Sequence, residues 1–140
     1  MLYSICYVSS ANNLSANSLE KLFFETEQNN STLNMSGLLI YNNGNFLQIL
    51  EGENVHINNL FSKIKKDDRH KSIIKLIDTP IEERIFDNYN VGFLIVNDLK
   101  KQKTLEDYLN WLKQAEIESV DKVVGIIENF INNKYTNSTN

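Results

Sequence analysis

The sequence is 140 residues long, 41% hydrophobic and 23% charged, which is the size and composition of one compact globular domain. Its net charge of −4 and pI near 5.2 exclude a nucleic-acid binder, because no basic surface is available to displace counterions from phosphates. We expect no membrane span and no secretory signal, because the chain lacks a long apolar run and a basic, apolar start. The single cysteine, Cys6, makes no internal disulfide, and we predict a cytoplasmic location.

The first two elements are predicted to be a strand and a helix. Leu2 to Ser9 is apolar on both faces, so both faces of this strand should be covered. The helix that follows is capped by Ser15, with Asn17 as a competing cap. Its end is predicted at Asn29-Asn30, because asparagine is a common helix terminator.

A β-hairpin is the clearest local signal in the chain. Ser36 to Tyr41 and Phe46 to Glu51 are its strands, and Asn43-Gly44 supplies the positive φ angles of a tight type I′ turn. A second helix is predicted over about Asn54 to Lys66. Two more strands follow, at Ser72 to Asp78 and at Val91 to Asn97. This βαββαββ order predicts an α+β, ferredoxin-like sheet with two helices on one face.

Two amphipathic helices are predicted after the last strand. Their apolar stripes are Leu105, Tyr108, Leu109 and Leu112 in the first, and Val120, Val123, Val124, Ile127 and Ile131 in the second. They cover either the other sheet face or a neighbouring subunit. We divide the chain into a sheet domain, residues 1–97, a C-terminal helical extension, residues 98–133, and a disordered tail, residues 134–140.

Gln48 is the most unusual residue of the predicted sheet, because it interrupts the apolar run from Phe46 to Leu50. A buried primary amide must find partners for its two donors and its acceptor. Exposure at a sheet edge is one explanation. If the first and third strands are adjacent, however, Tyr7 meets Gln48 on one face, and the pair needs a third polar partner. A flat heterocycle held by Asn29 and Asn30 would be such a partner.

Several motifs together resemble one family. The strongest are Ser36-Gly37-Leu38-Leu39-Ile40-Tyr41 and Gly44-Asn45-Phe46-Leu47-Gln48-Ile49-Leu50-Glu51-Gly52. Supporting matches are Tyr7-Val8-Ser9-Ser10, Asn29-Asn30 and Asp67-Asp68-Arg69-His70. From about Tyr3 to Phe93 the chain resembles the BLUF family, the sensors of blue light using FAD. The resemblance implies a short, single-domain photoreceptor in which residues 1–97 bind FAD non-covalently.

The resemblance also implies roles for individual residues. The isoalloxazine ring would lie between the two helices that cover the sheet, lined by Leu22, Phe23 and Ile64. Asn30 would hydrogen-bond its pyrimidine edge, with Asn29 as a weaker candidate, and Arg69 would reach the same edge. The residues near the ribityl chain or the surroundings of the ring would be Lys63, Asp67 and His70.

Tyr7 and Gln48 match the pair that carries out the photochemistry of the family. The excited flavin would take an electron and a proton from Tyr7, and Gln48 would relay the proton and then rotate or change tautomer. The new hydrogen bond to the flavin would shift its absorption slightly to the red. Cys6 should point to the opposite sheet face, so no thiol adduct is expected.

Tyr89 and Val91 depart from the family pattern, since tryptophan and methionine are usual at these positions of the signal relay. We predict that Tyr89 is a secondary electron donor if it packs towards the ring. Ultrafast spectra of Tyr89→Phe that match those of the parent protein would contradict this role.

Three classes of function are to be compared on these residues: a flavin photoreceptor, an acylphosphatase-like enzyme and a flavin-free interaction module. An acylphosphatase-like enzyme lacks its glycine-rich anion loop here, and neither a catalytic triad nor close metal-ligand spacing is present. A flavin-free interaction module on the same scaffold would not need Tyr7, Gln48 and Asn30 together. We therefore predict a photoreceptor and no enzyme. Its output should pass to an unknown downstream protein or through altered self-association, and we expect a homo-oligomer.

Overall fold

The computed structural model describes residues 1–86 and 93–132. Strands and helices follow one another in the predicted α+β order βαββαββ, and two helices follow the last strand. Their bounds are β1 Leu2–Ala11, α1 Ala16–Thr32, β2 Ser36–Asn42, β3 Asn45–Glu53, α2 Asn54–Lys66, β4 His70–Pro80, β5 Phe93–Val96, α3 Leu99–Lys113 and α4 Glu118–Ile131. Within the described ranges, no helix is both long enough and apolar enough to cross a membrane.

The five strands form one sheet in the order β4-β1-β3-β2-β5. Neighbouring strands are antiparallel except β2 and β5, which are parallel. The long strands β1 and β3 are neighbours inside the sheet, as a ferredoxin-like arrangement requires, and their register places Tyr7 opposite Gln48. Exposure at a sheet edge, one of the two explanations considered for Gln48, is therefore wrong, because β3 has a partner strand on each side.

Side chains alternate between the two faces along each strand, so apolar side chains lie on both faces of the sheet. Helices cover both faces. On one face, a core that includes Ile5, Leu39 and Leu50 packs against α1 and α2. On the other face, a second core packs against α3 and α4, and its members include Cys6, Val8, Leu47, Leu109 and Ile127. The C-terminal helices therefore cover the second sheet face, one of the two predicted alternatives. The division at residues 97 and 98 stays a prediction.

The start of α1 confirms one predicted cap. The Ser15 side chain accepts a hydrogen bond from the backbone N–H of Ser18, so Ser15, and not Asn17, caps the helix. The predicted end at Asn29-Asn30 is wrong, since α1 continues to Thr32. The chain turns at Asn34, whose φ is 55°, and the N–H of Met35 donates to the carbonyl of Asn30. Asn30 therefore lies in the last helical turn, where it is buried.

The hairpin turn is confirmed by its backbone angles. Asn43 and Gly44 have φ values of 52° and 79°, as a type I′ turn requires. The flanking strands are longer than predicted, because β2 runs to Asn42 and β3 runs through Gly52 to Glu53. Strand β4 likewise extends to Pro80.

Candidate functional site

Tyr7 and Gln48 form a buried hydrogen-bonded pair on the face covered by α1 and α2. The hydroxyl of Tyr7 donates to Oε1 of Gln48 over 2.5 Å. Tyr7 is 4% exposed and Gln48 is 3% exposed. The predicted meeting of these two side chains on one face is therefore confirmed. Because the amide carbonyl faces the phenol, the amide donors of Gln48 lie on the opposite side of that group.

The phenol of Tyr7 is held in its protonated form. Burial raises the pKa of Tyr7 well above its ordinary value, and the charges of Asp67 and Cys6 contribute in the same direction. Aromatic rings pack around the phenol, with the Phe61 ring centroid at 5.7 Å and the His70 ring centroid at 6.0 Å. Tyr7 therefore keeps its proton at neutral pH and acts as a hydrogen-bond donor.

A cleft of about 220 Å³ lies beside this pair, with walls from α1, α2 and the central strands. Its lining includes ten of the residues predicted for the site: Tyr7, Leu22, Asn29, Asn30, Gln48, Lys63, Ile64, Asp67, Arg69 and His70. The structure therefore brings together residues that are widely separated in the sequence. Their roles toward a flavin stay predictions.

Asn30 presents a buried donor at this cleft. The residue is 1% exposed, and its Nδ2 has no hydrogen-bond partner in the part of the chain that the structure describes. A buried amide donor left without a partner costs about 1–3 kcal/mol. A ligand that offers a carbonyl oxygen at this point would remove that cost. The donor set of the cleft thus fits the pyrimidine edge of a flavin, which carries such oxygens.

Arg69 joins the two helices at the rim of the cleft. Its guanidinium donates to both carboxylate oxygens of Asp67, at 2.7 Å to 3.1 Å, and to Glu25 of α1 at 2.9 Å. Hydrogen bonds from Arg69 hold the pKa of Asp67 below its ordinary range. The Glu25–Arg69 ion pair closes α1 onto the segment after α2. This arrangement places a cation at the wall of the cleft.

We expect the Asp67–Arg69 pair to make stability pH-dependent at low pH. Because the folded-state pKa of Asp67 lies below its ordinary value of 3.8, the contribution is full above that value and is lost as pH falls through the folded-state pKa. At this partly exposed site it should be worth about 0.5–1 kcal/mol. Urea unfolding of wild type and Asp67→Asn should differ by that amount at neutral pH, and the difference should shrink as the pH falls below 3.8. Asp68→Asn, at the exposed neighbouring position, is the control and should unfold like the wild type at neutral pH.

His70 connects the start of β4 to the end of α2. Its Nε2 lies 2.8 Å from the carbonyl oxygen of Ile64, and its Nδ1 lies 2.8 Å from the hydroxyl of Ser9. A carbonyl only accepts, so Nε2 carries a proton and donates. His70 therefore fixes Ile64 and the carboxyl end of α2 beside Tyr7.

Phe23 is the one predicted site residue in the described part of the chain that does not line the cleft. Its ring packs against the ring of Tyr41, with the centroids 6.1 Å apart. Tyr89 and Val91 lie outside the described residues. The relay role of these two residues stays a prediction.

Five lining residues were missed by the sequence analysis, namely Glu25, Thr26, Leu39, Phe46 and Leu60. Glu25 and Thr26 stand three and four positions after Leu22, on the same helical face, so helical spacing from Leu22 would have found them. Leu39 pairs with Gln48 across β2 and β3. Its position follows from the hairpin register.

Comparison with known proteins gives a consistent result. The sequence model of the family described as sensors of blue-light using FAD (BLUF) matches residues 2–92. The alpha subunit of photoactivated adenylate cyclase from Euglena gracilis is 33% identical over 89 residues, which cover 61% of this chain and 8% of that protein. The beta subunit from Euglena longa is 34% identical over 86 residues, covering 61% and 10%. The chain thus spans a tenth or less of these two relatives.

Solved structures show the same similarity. The ground state of BlsA is 31% identical, with a TM-score of 0.62, and the match covers 74% of this chain and 70% of that one. Klebsiella pneumoniae BlrP1 with FMN and cyclic diGMP has a TM-score of 0.75 over 97% of this chain and 36% of that one. Its 24% identity supports a shared fold alone. Because the family match covers more than half of the chain and includes both Tyr7 and Gln48, this protein belongs to the BLUF family of blue-light sensors.

Proposed function

We propose that this protein is a blue-light photoreceptor that binds FAD non-covalently in the cleft between α1 and α2. The observation that carries the proposal is the buried 2.5 Å hydrogen bond from Tyr7 to Gln48, which lines that cleft. A plain packing module gains nothing from a buried phenol and amide next to a cleft, because an apolar pair would fill the space without desolvating polar groups. The unpartnered amide of Asn30 argues against the flavin-free alternative for the same reason.

The lining of the cleft suits the ring system of the cofactor. Leu22 and Ile64 supply apolar surface from the two helices, and Asn30 supplies a donor for a ring carbonyl. Arg69 would place its positive charge near the same edge. At about 220 Å³ the cleft is smaller than the roughly 300–1,000 Å³ of pockets that enclose a whole drug-sized ligand. We therefore place the isoalloxazine ring inside it and the adenosine part outside.

The chemistry follows from the side chains that surround the ring. When bound, the flavin supplies a light-generated oxidant and acceptors for hydrogen bonds. Tyr7 would give one electron to this oxidant, and the proton of its hydroxyl would move along the existing bond to Oε1 of Gln48. Burial disfavours a charged phenol, so electron and proton leave together or in close succession. Both later return to Tyr7, so no net oxidation occurs and no covalent bond is made.

Gln48 is the group that stores the change. Rotation of its side-chain amide exchanges the positions of the carbonyl and the amino group, and a tautomer shift similarly changes which atom donates. Either change alters the hydrogen bonds that Gln48 offers to the cleft and to Tyr7. The result would be a different electronic environment for a ring bound in the cleft. We propose that this change at Gln48 then alters the contacts that the chain makes with another protein or with a second copy of itself.

Reconstitution with FAD and illumination test this proposal. The purified protein, loaded with FAD, should be yellow, and blue light should shift its absorption slightly and reversibly to the red. If the protein takes up no FAD, the flavin-free interaction module explains it better. A yellow protein whose spectrum light does not change would be a flavoprotein without a sensor function.

Replacing Asn30 by leucine should separate stability from flavin binding. The substitution removes the unpartnered donor at nearly constant volume, so the flavin-free protein should be as stable as wild type or more stable by about 1 kcal/mol. FAD affinity should fall at least about tenfold, because a hydrogen bond to the ring is lost. Urea unfolding of the apoprotein and FAD titration give the two values. Asn29→Leu, at the exposed neighbouring position, is the comparison and should weaken FAD binding less.

A further inference from the structure

Glu51 is a buried carboxyl group that the photochemistry does not use. It lies on β3, the strand that carries Gln48, and it is 1% exposed. Because 48 and 51 differ by an odd number of positions, the two side chains point to opposite faces of the sheet. Glu51 thus faces the side covered by α3 and α4.

Three donors hold the carboxyl group of Glu51. The hydroxyl of Ser36 donates to Oε1 over 2.8 Å, the backbone N–H of Phe86 donates to Oε1 over 3.0 Å, and that of Ile85 donates to Oε2 over 2.7 Å. Burial raises the pKa of Glu51, and these donors oppose the rise. A buried carboxyl group needs such partners. The same bonds fix the backbone of residues 85 and 86 to the sheet.

Ile85 is held from both sides. Its N–H is bound by Glu51 of β3, and its carbonyl oxygen accepts a hydrogen bond from the hydroxyl of Tyr108 on α3 over 2.6 Å. The Tyr108 ring lies 5.6 Å from the ring of Trp111, which is 63% exposed. The main chain of Ile85 therefore connects β3, the strand that carries Gln48, to an aromatic side chain on the outer surface of the molecule.

We propose that Glu51 is a positioning residue that links β3 to α3 through the main chain of Ile85. A change in β3 at Gln48 then alters the orientation of Tyr108 and Trp111. The inference rests on the proposed light-driven change at Gln48, and it needs no contribution from Tyr89 or Val91. It assigns the surface around Trp111 as the place where the light state differs from the dark state.

Hydrogen exchange in the dark tests the link without any flavin. In Glu51→Gln only one oxygen remains to accept, so Ile85 or Phe86 loses a partner. Exchange of a peptide that contains these two amides should accelerate at least about tenfold. Glu53→Gln is the matched control, because Glu53 lies on the same strand and is exposed. Equal exchange in the two variants would overturn the positioning role of Glu51.

Fluorescence under illumination tests the transmission. Trp111 is the only tryptophan of the chain, so its emission reports on α3 alone. In the wild type loaded with FAD, the emission should change with light and recover together with the absorption shift. Glu51→Gln and Tyr108→Phe should keep the absorption shift, while the change in emission falls at least about fivefold. The double variant should lose no more than the larger single loss, because both residues act through Ile85.

The outcomes separate the two proposals. If the wild type shows an absorption shift but its Trp111 emission stays constant, the proposed transmission to α3 is wrong. It is also wrong if Tyr108→Phe keeps the full change in emission, and this second test holds even if Glu51→Gln fails to fold. A wild type without any absorption shift contradicts the proposed function, and the dark exchange experiment still decides whether Glu51 positions Ile85. A purely structural Glu51 would lower stability in its variant and leave the light response of the folded fraction intact.

Discussion

Tyr7→Phe should abolish the reversible red shift while leaving FAD bound. The phenylalanine keeps the packing against Phe61 but lacks the hydroxyl that donates to Gln48 over 2.5 Å. A phenylalanine ring is much harder to oxidise than a phenol and has no hydroxyl proton, so neither the electron nor the proton leaves residue 7, and the glutamine has no reason to change its hydrogen bonds. The yield of the shifted state should fall at least about a hundredfold, which is the usual loss when a positioned proton donor is removed. Absorption spectra before and after a blue flash measure the effect.

Gln48→Leu should give the same spectroscopic result by a different route. In this variant the phenol of Tyr7 remains, but the group that accepts its proton is gone. No amide is left to change the hydrogen bonds of the cleft. Tyr41→Phe is the matched control, because Tyr41 packs against Phe46 and Phe23 and is not among the lining residues of the cleft. A red shift of normal size in Tyr7→Phe, or its loss in Tyr41→Phe, would contradict the assignment of Tyr7 as donor.

Gly37→Ala should cause the largest loss of stability among single methyl additions in the sheet. Gly37 has a φ of 134°, which side chains rarely adopt, and an added Cβ would lie 2.0 Å from the backbone oxygen of Ile49. This oxygen belongs to β3, a central strand, so neither strand can move without breaking the sheet. We expect a loss of about 4–5 kcal/mol or failure to fold, because strain and a backbone clash act together.

Gly44→Ala is the matched control for this prediction. Gly44 also has a positive φ, 79°, but a Cβ there would meet nothing within 4 Å. Only the conformational cost of a left-handed alanine remains, about 1–2 kcal/mol. Urea unfolding monitored by circular dichroism compares the two variants. Similar losses in both would mean that the conformational cost, and not the clash at β3, decides the effect at Gly37.

The pairing of Tyr7 with Gln48 was predictable because two local rules agree. Side chains alternate along a strand, and the order βαββαββ makes the first and third strands neighbours. An amide within the apolar run from Phe46 to Leu50 then had to lie in the core, and a phenol on the adjoining strand was its nearest polar partner. The Asn43-Gly44 turn fixed the hairpin register in the same way, because only a few residue types adopt its backbone angles.

The burial of Asn30 was not predictable from local rules. Asparagine ends helices often enough that Asn29-Asn30 was expected to end α1, whereas the turn comes four residues after Asn30, at Asn34. Both positions satisfy the same conformational preference, so propensity alone does not choose between them. Burial of Met35 in the core supports the later turn. The unpartnered amide of Asn30 is a consequence of that packing.

The sequence by itself determined the α+β class, the order of the elements, the hairpin turn and the identity of the buried polar pair. These features depend on the period of apolar residues and on the angles that asparagine and glycine tolerate, which are properties of short segments. Tertiary structure alone decided which face α3 and α4 cover, that Arg69 binds Glu25, and that Glu51 holds Ile85. Each of these contacts joins residues that are far apart in the chain, so only the three-dimensional packing of the strands and helices selects them.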